Sequence, residues 1–128
     1  MTRDEVIRYW IEAAEENFAS SQNMYDSGEY MWALFVGHLT LEKLLKANYV
    51  KTTDINVPRT HDLYKLAIRG GLELSEKHKD DLQYITLFNI EARYEEYKKE
   101  FSKKCTKNFA CKNFKKIKEL RKWLLERI

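Results

Sequence analysis

The segment from Ser27 to Ala47 combines an apolar helical pattern with three polar residues that could do chemistry. His38, Glu42 and Lys46 stand four residues apart, so on a helix they lie above one another on one face. Most other positions of the segment are apolar, which predicts a helix at the centre of its domain. Because a charged side chain is costly to bury without a partner, we expect this polar row to border a groove, an interface or a binding site.

Arg93 is a second candidate, and it follows Asn89 by one helical turn, so the two side chains can share a face. One interpretation is a contact to a phosphate or a nucleotide. The other is an arginine paired with a carboxylate such as Glu42, which would tie two helices together. Both can hold, since a paired guanidinium keeps spare donors. We predict that Glu42 reaches across the bundle to orient Arg93, rather than only pairing with Lys46 on its own helix.

The histidines and cysteines indicate structural roles more than catalytic ones. His38 is expected to be an interior histidine with its polar atoms paired, or to border a cleft together with Lys46. His61 is expected to bond to the backbone or to a loop carbonyl; a role facing a ligand is the alternative. Cys105 and Cys111 have five residues between them, which does not fit the spacing of a zinc site. We predict two reduced thiols, no metal site and no cofactor.

The charges are distributed unevenly along the chain. Residues 1–97 hold 11 Lys/Arg and 17 Asp/Glu, whereas residues 98–122 hold 11 Lys/Arg and only two Glu. Such a basic block can attract nucleic acid, an acidic partner or the acidic body of a second subunit. Lys98, Lys99, Lys103 and Lys104 would extend a positive field from Arg93. Tyr94 is among the aromatic residues best placed beside these lysines to stack on a base.

The elements that position these residues are predicted to be helices. The chain has 128 residues, 44% of them hydrophobic, with four glycines and one proline, which favours one all-α domain over residues 1–128. A capping box at Thr2 begins a first helix that ends near Asp26, and the second begins after Gly28 and runs to about Val50. Thr60 is expected to cap a short helix over residues 61–68 that ends at Gly70. Ser75 caps a helix that reaches about Arg93 and could continue through Tyr97, and Thr106 or Asn108 caps the last. The sum is an antiparallel up-and-down four-helix bundle with an additional short helix.

The sequence also bears on location. No apolar run approaches the roughly 18 residues that a membrane span requires, and the first five residues lack the basic-then-apolar order of a signal peptide. We therefore expect a cytoplasmic protein that does not contact membranes.

Three segments, in this order and at this spacing, resemble the HEPN domain (higher eukaryotes and prokaryotes nucleotide-binding). They are residues 28–35 with Leu41-Glu42-Lys43-Leu44-Leu45-Lys46-Ala47, then Thr60-His61-Asp62-Leu63-Tyr64-Lys65-Leu66, then Ala92-Arg93-Tyr94. Each segment alone is weakly specific, but the ordered set is fairly specific and spans nearly the whole chain.

The resemblance implies a helical bundle that is usually a homodimer. Many HEPN domains work in prokaryotic toxin–antitoxin or defence systems, often beside a minimal nucleotidyltransferase. The active toxins in the family are metal-independent endoribonucleases. Their signature is an arginine, four to six further residues and a histidine, in a cleft at the dimer interface. There the histidine can transfer protons while the arginine stabilises charge on the phosphorane.

Arg93 matches the arginine of that signature, but the matching histidine is missing. Positions 98, 99 and 100 hold Lys98, Lys99 and Glu100, and no histidine follows His78. Lysine carries charge but is a poor acid or base near neutral pH unless its pKa is strongly lowered. The sequence therefore predicts a nucleotide- or RNA-binding component of a HEPN/nucleotidyltransferase-like pair, and not an enzyme. The alternatives are a divergent endoribonuclease toxin that uses Arg93 with a non-histidine partner, and a protein-binding adaptor.

Overall fold

The computed structural model describes all 128 residues and consists entirely of helices and their connections. The six helices, in chain order, are α1 (Arg3–Asp26), α2 (Tyr30–Thr52), α3 (Leu63–Arg69), α4 (Glu76–Arg93), α5 (Glu95–Lys104) and α6 (Lys107–Leu125). The predicted all-α bundle is confirmed, with α1, α2, α4 and α6 as its long helices. No helix combines the length and the apolar character needed to cross a lipid bilayer.

Helix α2 lies at the centre of the bundle and packs against each of the five other helices. It buries thirteen of its residues, among them Leu34, Leu41, Leu44 and Leu45, none of which retains accessible surface. A helix that is apolar on most sides is stable only when neighbours cover every side. This is why the polar side chains of α2 must find partners inside the protein.

The turn between α1 and α2 depends on a glycine. Gly28 adopts a φ of +81°, in the left-handed region that other residues rarely enter. The amide of Gly28 donates to Tyr25 O, and the amide of Glu29 donates to Met24 O at 2.8 Å. The turn closes α1 and α2 into an antiparallel pair.

A second glycine allows two helices to approach closely. A methyl group built on Gly37 would lie 2.7 Å from Cδ1 of Ile117, which is fully buried on α6. Gly37 therefore allows a neighbouring helix to approach closely. The neighbour is α6, and so the basic C-terminal helix is held directly against the central helix.

The predicted N-terminal caps are mostly confirmed. Thr2 and Glu5 form the reciprocal capping box of α1. Ser75 accepts from the amide of His78 at the start of α4, and Thr106, not Asn108, caps α6.

The predicted cap of α3 is wrong. Thr60 was the expected cap, but α3 begins two residues later, because the Asp62 carboxylate accepts from the amide of Lys65 at 3.0 Å. Thr60 instead accepts from the amide of Asp62 at 3.1 Å. His61 consequently lies in the connection before α3, where both its backbone and its ring are available to other helices.

The continuation of α4 through Tyr97 does not occur. Tyr94 has extended backbone angles (φ −95°, ψ 125°), so α4 ends at Arg93 and α5 begins at Glu95. Residues 95–104 thus form a separate helix of ten residues in addition to the expected short helix α3. The break places Arg93 at the C-terminal end of α4.

Candidate functional site

Glu42 is the centre of a polar cluster between α2 and the connection to α3. Its side chain is almost completely buried, and its two carboxylate oxygens have different partners. Oε2 lies 3.1 Å from Nζ of Lys46, one turn along α2, and Oε1 lies 2.7 Å from Nδ1 of His61. Hydrogen bonds to a charged acceptor are the stronger kind, and the two together compensate the cost of burying the carboxylate.

His38 completes this cluster from the interior. Its ring is fully buried, and Nε2 lies 2.9 Å from the carbonyl oxygen of His61. A carbonyl oxygen only accepts, so Nε2 carries the proton and donates. Burial lowers the pKa of His38, and the bond to the carbonyl and the charge of Glu42 offset this only in part. His38 is therefore a neutral interior histidine, as expected, although its buried Nδ1 has no hydrogen-bond partner.

Lys46 links the cluster to α1. Its ammonium group lies 5.2 Å from the ring centroid of Trp10, in addition to the Glu42 carboxylate. The row His38, Glu42 and Lys46 therefore joins α2 to α1 on one side and to the residues before α3 on the other.

The predicted contact between Glu42 and Arg93 is wrong. Both oxygens of Glu42 are engaged by Lys46 and His61, and Arg93 makes no ion pair with any carboxylate. The expected bond from the His61 ring to a backbone carbonyl is wrong as well, since the ring binds Glu42 and the backbone of His61 binds His38. The reason is the late start of α3, which leaves His61 extended against α2.

Arg93 is exposed at the end of α4, and its only hydrogen bond is to its own helix. Nη1 donates to Oδ1 of Asn89 at 3.3 Å, which confirms that the two side chains share a face. Asn89 is 4% exposed, so it is a fixed support, and its Nδ2 is buried without a partner. Arg93 thus has no ion-pair partner within the chain.

Exposed apolar side chains flank Arg93. We call this set the exposed stripe; it comprises Leu87, Ile90 and Tyr94, with Tyr97 on the first turns of α5, each 42–52% exposed. Leu87, Ile90 and Tyr94 follow the three- and four-residue spacing of one helix face. Arg93 is three residues beyond Ile90 and lies within about 60° of it around the helix axis.

The lysines predicted to surround Arg93 are divided among several environments. Lys98 lies 4.8 Å above the Trp32 ring and 3.8 Å from a Glu95 oxygen, and Lys103 lies 3.6 Å from Glu100. Lys99 is exposed and makes no ion pair, whereas Lys104 lies over aromatic rings between α4 and α6. Glutamates are interspersed among the lysines of α5, so these residues do not form one uninterrupted positive surface around Arg93.

A cavity of about 530 Å³ beside α5 also carries mixed charge. It is lined by Glu91, Glu96, Tyr97, Glu100, Phe101, Lys103 and Lys104. Three carboxylates against two ammonium groups make it a poor match to a polyanion. Nor does any group of three or more His, Cys, Asp or Glu side chains come together as a candidate metal site.

One group of residues with a common location was not predicted from the sequence. Phe109, Lys112, Asn113 and Lys116 share a face of α6 and, with Tyr84 of α4, line a small pocket. Their spacing of three, four and seven residues indicates a common face and could have revealed them. The basic block obscured the pattern, because Lys112 and Lys116 are two of six lysines on the half of α6 that lies opposite its buried residues.

The fold and these residues define a protein class: an α-helical bundle with an unpaired arginine at the end of its fourth helix, beside exposed apolar residues. The chain belongs to the HEPN domain family, whose model matches residues 7–128. This membership supports a nucleotide- or RNA-related function in general. Comparison with curated proteins and with solved structures gave no significant match.

Proposed function

We propose that this HEPN protein binds the phosphate groups of RNA or of a nucleotide through Arg93. It would act as a homodimer, in a prokaryotic toxin–antitoxin-like or defence system with a minimal nucleotidyltransferase as partner. The observation that carries the proposal is that Arg93 has no ion-pair partner within the chain. An exposed arginine fixed by a buried asparagine keeps most of its donors free, and the planar guanidinium suits bidentate binding of a phosphate.

The exposed stripe supports the homodimer. Leu87 and Ile90 lie on one face of α4 and Tyr94 follows the end of the helix, and each leaves a large part of its apolar surface in water. A contiguous exposed apolar surface next to a charged group is typical of an interface. If two copies pack through this face about a two-fold axis, two Arg93 side chains flank one cleft, which doubles the positive charge available to a phosphate backbone.

Binding of a fluorescent single-stranded RNA, measured at several salt concentrations, tests the proposal. We expect salt-sensitive binding that Arg93→Ala weakens about tenfold or more, because a charge-assisted hydrogen bond contributes about 1.5–3 kcal/mol. Arg59→Ala is the matched control, since Arg59 is an exposed arginine outside the helices and the substitution removes the same charge. Equal affinity of the two variants would refute the role of Arg93. Absence of binding to both RNA and nucleotides would point to the adaptor alternative.

The pair formed by Glu42 and His61 favours a second candidate function, a divergent endoribonuclease. The His61 side chain is 53% exposed, and its Nδ1 is fixed by the buried Glu42 carboxylate at 2.7 Å. A proton on Nδ1 leaves Nε2 as an acceptor facing outward, which is the arrangement of a histidine base oriented by a carboxylate. This histidine precedes Arg93 in the chain, whereas the HEPN signature places its histidine after the arginine.

His61 and Arg93 lie at different positions along the axis of α4. The amide of Leu63, two residues after His61, donates to Thr86 Oγ1 at 3.1 Å, and Thr86 precedes Arg93 by two turns, about 10 Å along the axis. In this reading Arg93 would contact a phosphate neighbouring the one at which His61 acts.

Cleavage of a defined RNA without divalent metal would distinguish the two functions. If the protein is a ribonuclease, His61→Ala and Arg93→Ala should each abolish cleavage, whereas His78→Ala should not. If wild-type protein binds RNA but leaves it intact, the binding function alone stands.

A further inference from the structure

A small pocket lies between α4 and α6, on the side of α4 that faces away from Arg93. It has a volume of about 140 Å³ and is lined by Tyr84, Phe109, Lys112, Asn113 and Lys116. Tyr84 precedes Arg93 by nine residues, which is two and a half turns, so the two side chains leave α4 on opposite faces. The pocket is therefore a separate surface from the one proposed to bind phosphate through Arg93.

Two lysines, Lys112 and Lys116, line the pocket, and the ammonium group of Lys104 lies near its two aromatic rings. Nζ of Lys104 lies 5.7 Å from the Tyr84 centroid and 5.3 Å from the Phe109 centroid, and Nζ of Lys116 lies 5.4 Å from Tyr84. Lys112 is part of the lining. Lys104 is not part of this lining; it lines the cavity beside α5 and contacts the two rings from outside the pocket.

The carboxylates nearby neutralise little of this charge. No acidic residue lines the pocket, and neither Lys104 nor Lys112 lies within 4.0 Å of a carboxylate oxygen. Lys116 lies 3.7 Å from Asp81, but that carboxylate is also bound by Lys77 at 2.9 Å. The pocket thus has a net positive charge that calls for an anion.

The floor of the pocket is rigid. Tyr84 packs edge-on against Phe88, and Phe88 packs against Phe109, so both pocket rings are extensions of the core. Asn113 is 2% exposed and donates from Nδ2 to the carbonyl oxygen of Phe109 at 2.9 Å, while its Oδ1 is buried without a partner. A preformed floor means that a ligand would not have to order these side chains on binding.

We infer that this pocket is a second anion site, which holds one phosphate group of a nucleotide or of an RNA strand. Its volume equals that of four or five waters at about 30 Å³ each, which suits a group of five heavy atoms such as phosphate but not a whole nucleotide. Lys112 and Lys116 would bind the phosphate oxygens, and the sugar and base would lie outside the pocket. The inference does not depend on Arg93.

Two-dimensional ¹H–¹⁵N NMR locates binding directly. The probes are inorganic phosphate, AMP and a single-stranded RNA with or without a 5′-phosphate, each added to the ¹⁵N-labelled full chain. We expect concentration-dependent shifts of the Lys112 and Asn113 amides and of the Asn113 side-chain NH₂. Phosphate and AMP acting alike would indicate a free phosphate ester as ligand; shifts only with RNA would indicate a strand.

A matched pair of variants tests the pocket itself. Lys112→Glu reverses a charge in the lining, whereas Lys115→Glu makes the same change on an exposed α6 residue outside it. We expect the first to weaken binding of the responding probe about tenfold or more, and the second less than about threefold. Equal effects of the two variants, or no shifts with any probe, would overturn the inference.

Arg93→Ala separates this site from the one in the proposed function. The variant should retain the shifts at Lys112 and Asn113 even if it loses affinity for RNA. Loss of these shifts in Arg93→Ala would also contradict the inference, because it would make the two surfaces a single site.

Discussion

Oε1 of Glu42 lies 2.7 Å from Nδ1 of His61, so a buried carboxylate of α2 fixes the ring of an exposed histidine in the connection before α3. Because the backbone carbonyl of the same histidine accepts from His38, this connection is attached to α2 at two points one turn apart. The cluster is separate from Arg93, and the two can be perturbed independently.

Glu42→Gln should lower stability and leave binding at Arg93 intact. The amide keeps the shape of the side chain but leaves Lys46 without its charged partner, which should cost about 1–3 kcal/mol. RNA affinity should stay within about twofold, since Glu42 does not contact Arg93. Urea unfolding and RNA titration of the same preparation measure both effects. Glu12→Gln, on the exposed side of α1, is the control; a stability loss as large in that variant would contradict the argument.

His38 should make the protein less stable as the pH falls below about 6.5. Burial lowers the pKa of His38 in the folded state, so in acid the unfolded chain binds a proton that the folded chain excludes. The free energy of unfolding should therefore fall with decreasing pH, by at most about 1.4 kcal/mol per pH unit for this group. Above about pH 7, where His38 is neutral in both the folded and the unfolded chain, its contribution to stability should no longer change with pH.

Urea unfolding of two variants between pH 5 and 8 isolates the contribution of His38. His38→Gln should flatten the pH dependence more than His78→Gln, because burial lowers the pKa of both histidines but His78 is only partly buried. The reverse order would show that His38 is not the dominant group. Glu42, His61 and Lys46 surround His38, so their ionisation should be held constant by comparing variants at matched pH.

Gly37→Ala should destabilise the protein although alanine favours helices. The new methyl would lie 2.7 Å from Cδ1 of the fully buried Ile117, and overpacking a core costs about 1–3 kcal/mol against a helix-propensity gain of about 1 kcal/mol. Ile117→Val removes the clashing methyl group, so the double variant should lose less stability than the sum of the two single variants. Thermal unfolding of the three variants completes the cycle. Strict additivity would argue against the contact.

The two cysteines should differ sharply in reactivity. Burial, with a further contribution from Glu91, raises the pKa of Cys105 to about 12, whereas Cys111 is exposed. Iodoacetamide at pH 8 should therefore modify Cys111 first, with the product identified by peptide mass spectrometry. Cys111→Ser should resist labelling until urea unfolds the protein. Rapid labelling of that variant under native conditions would show that Cys105 is accessible.

Ile90→Glu should yield a monomer if the exposed stripe is the dimer interface. A charge at the centre of an apolar contact has to be desolvated on association, which opposes it strongly. Ile55→Glu is the control, because Ile55 is similarly exposed but lies in the connection after α2. Sedimentation should show a dimer for wild type and the control. A wild-type monomer at micromolar concentration would exclude the dimer. A dimeric Ile90→Glu variant would show that the dimer interface does not include the exposed stripe.

The helices and their caps were largely predictable from sequence, because both depend on neighbouring residues. The capping box at Thr2, the caps at Ser75 and Thr106, and the central position of α2 all follow from spacing within one or two turns. The close approach at Gly37 was also predictable in kind, since a glycine inside a helix needs a compensating contact. The sequence did not indicate that the neighbouring helix at Gly37 is α6.

The partners of Glu42 could not be predicted, because they depend on how distant segments dock. Lys46 was an evident neighbour, but the choice between His61 and Arg93 rests on where α3 begins. Thr60 was the predicted cap, but Asp62, two residues later, also carries a capping side chain and is the residue that caps α3. The pocket at Tyr84 has the same origin, since it joins side chains from α4 and α6 that only the packed bundle brings together.

The central position of α2 also has a kinetic consequence. Since all five other helices pack on α2, exposing the amides of α2 requires most of the bundle to come apart. In native-state hydrogen exchange, the amides around Leu41 and Leu45 should therefore open last, at the full free energy of unfolding. Helix α5 is short and has non-helical residues at both of its ends. Its amides should therefore exchange through local openings, much faster than those of α2.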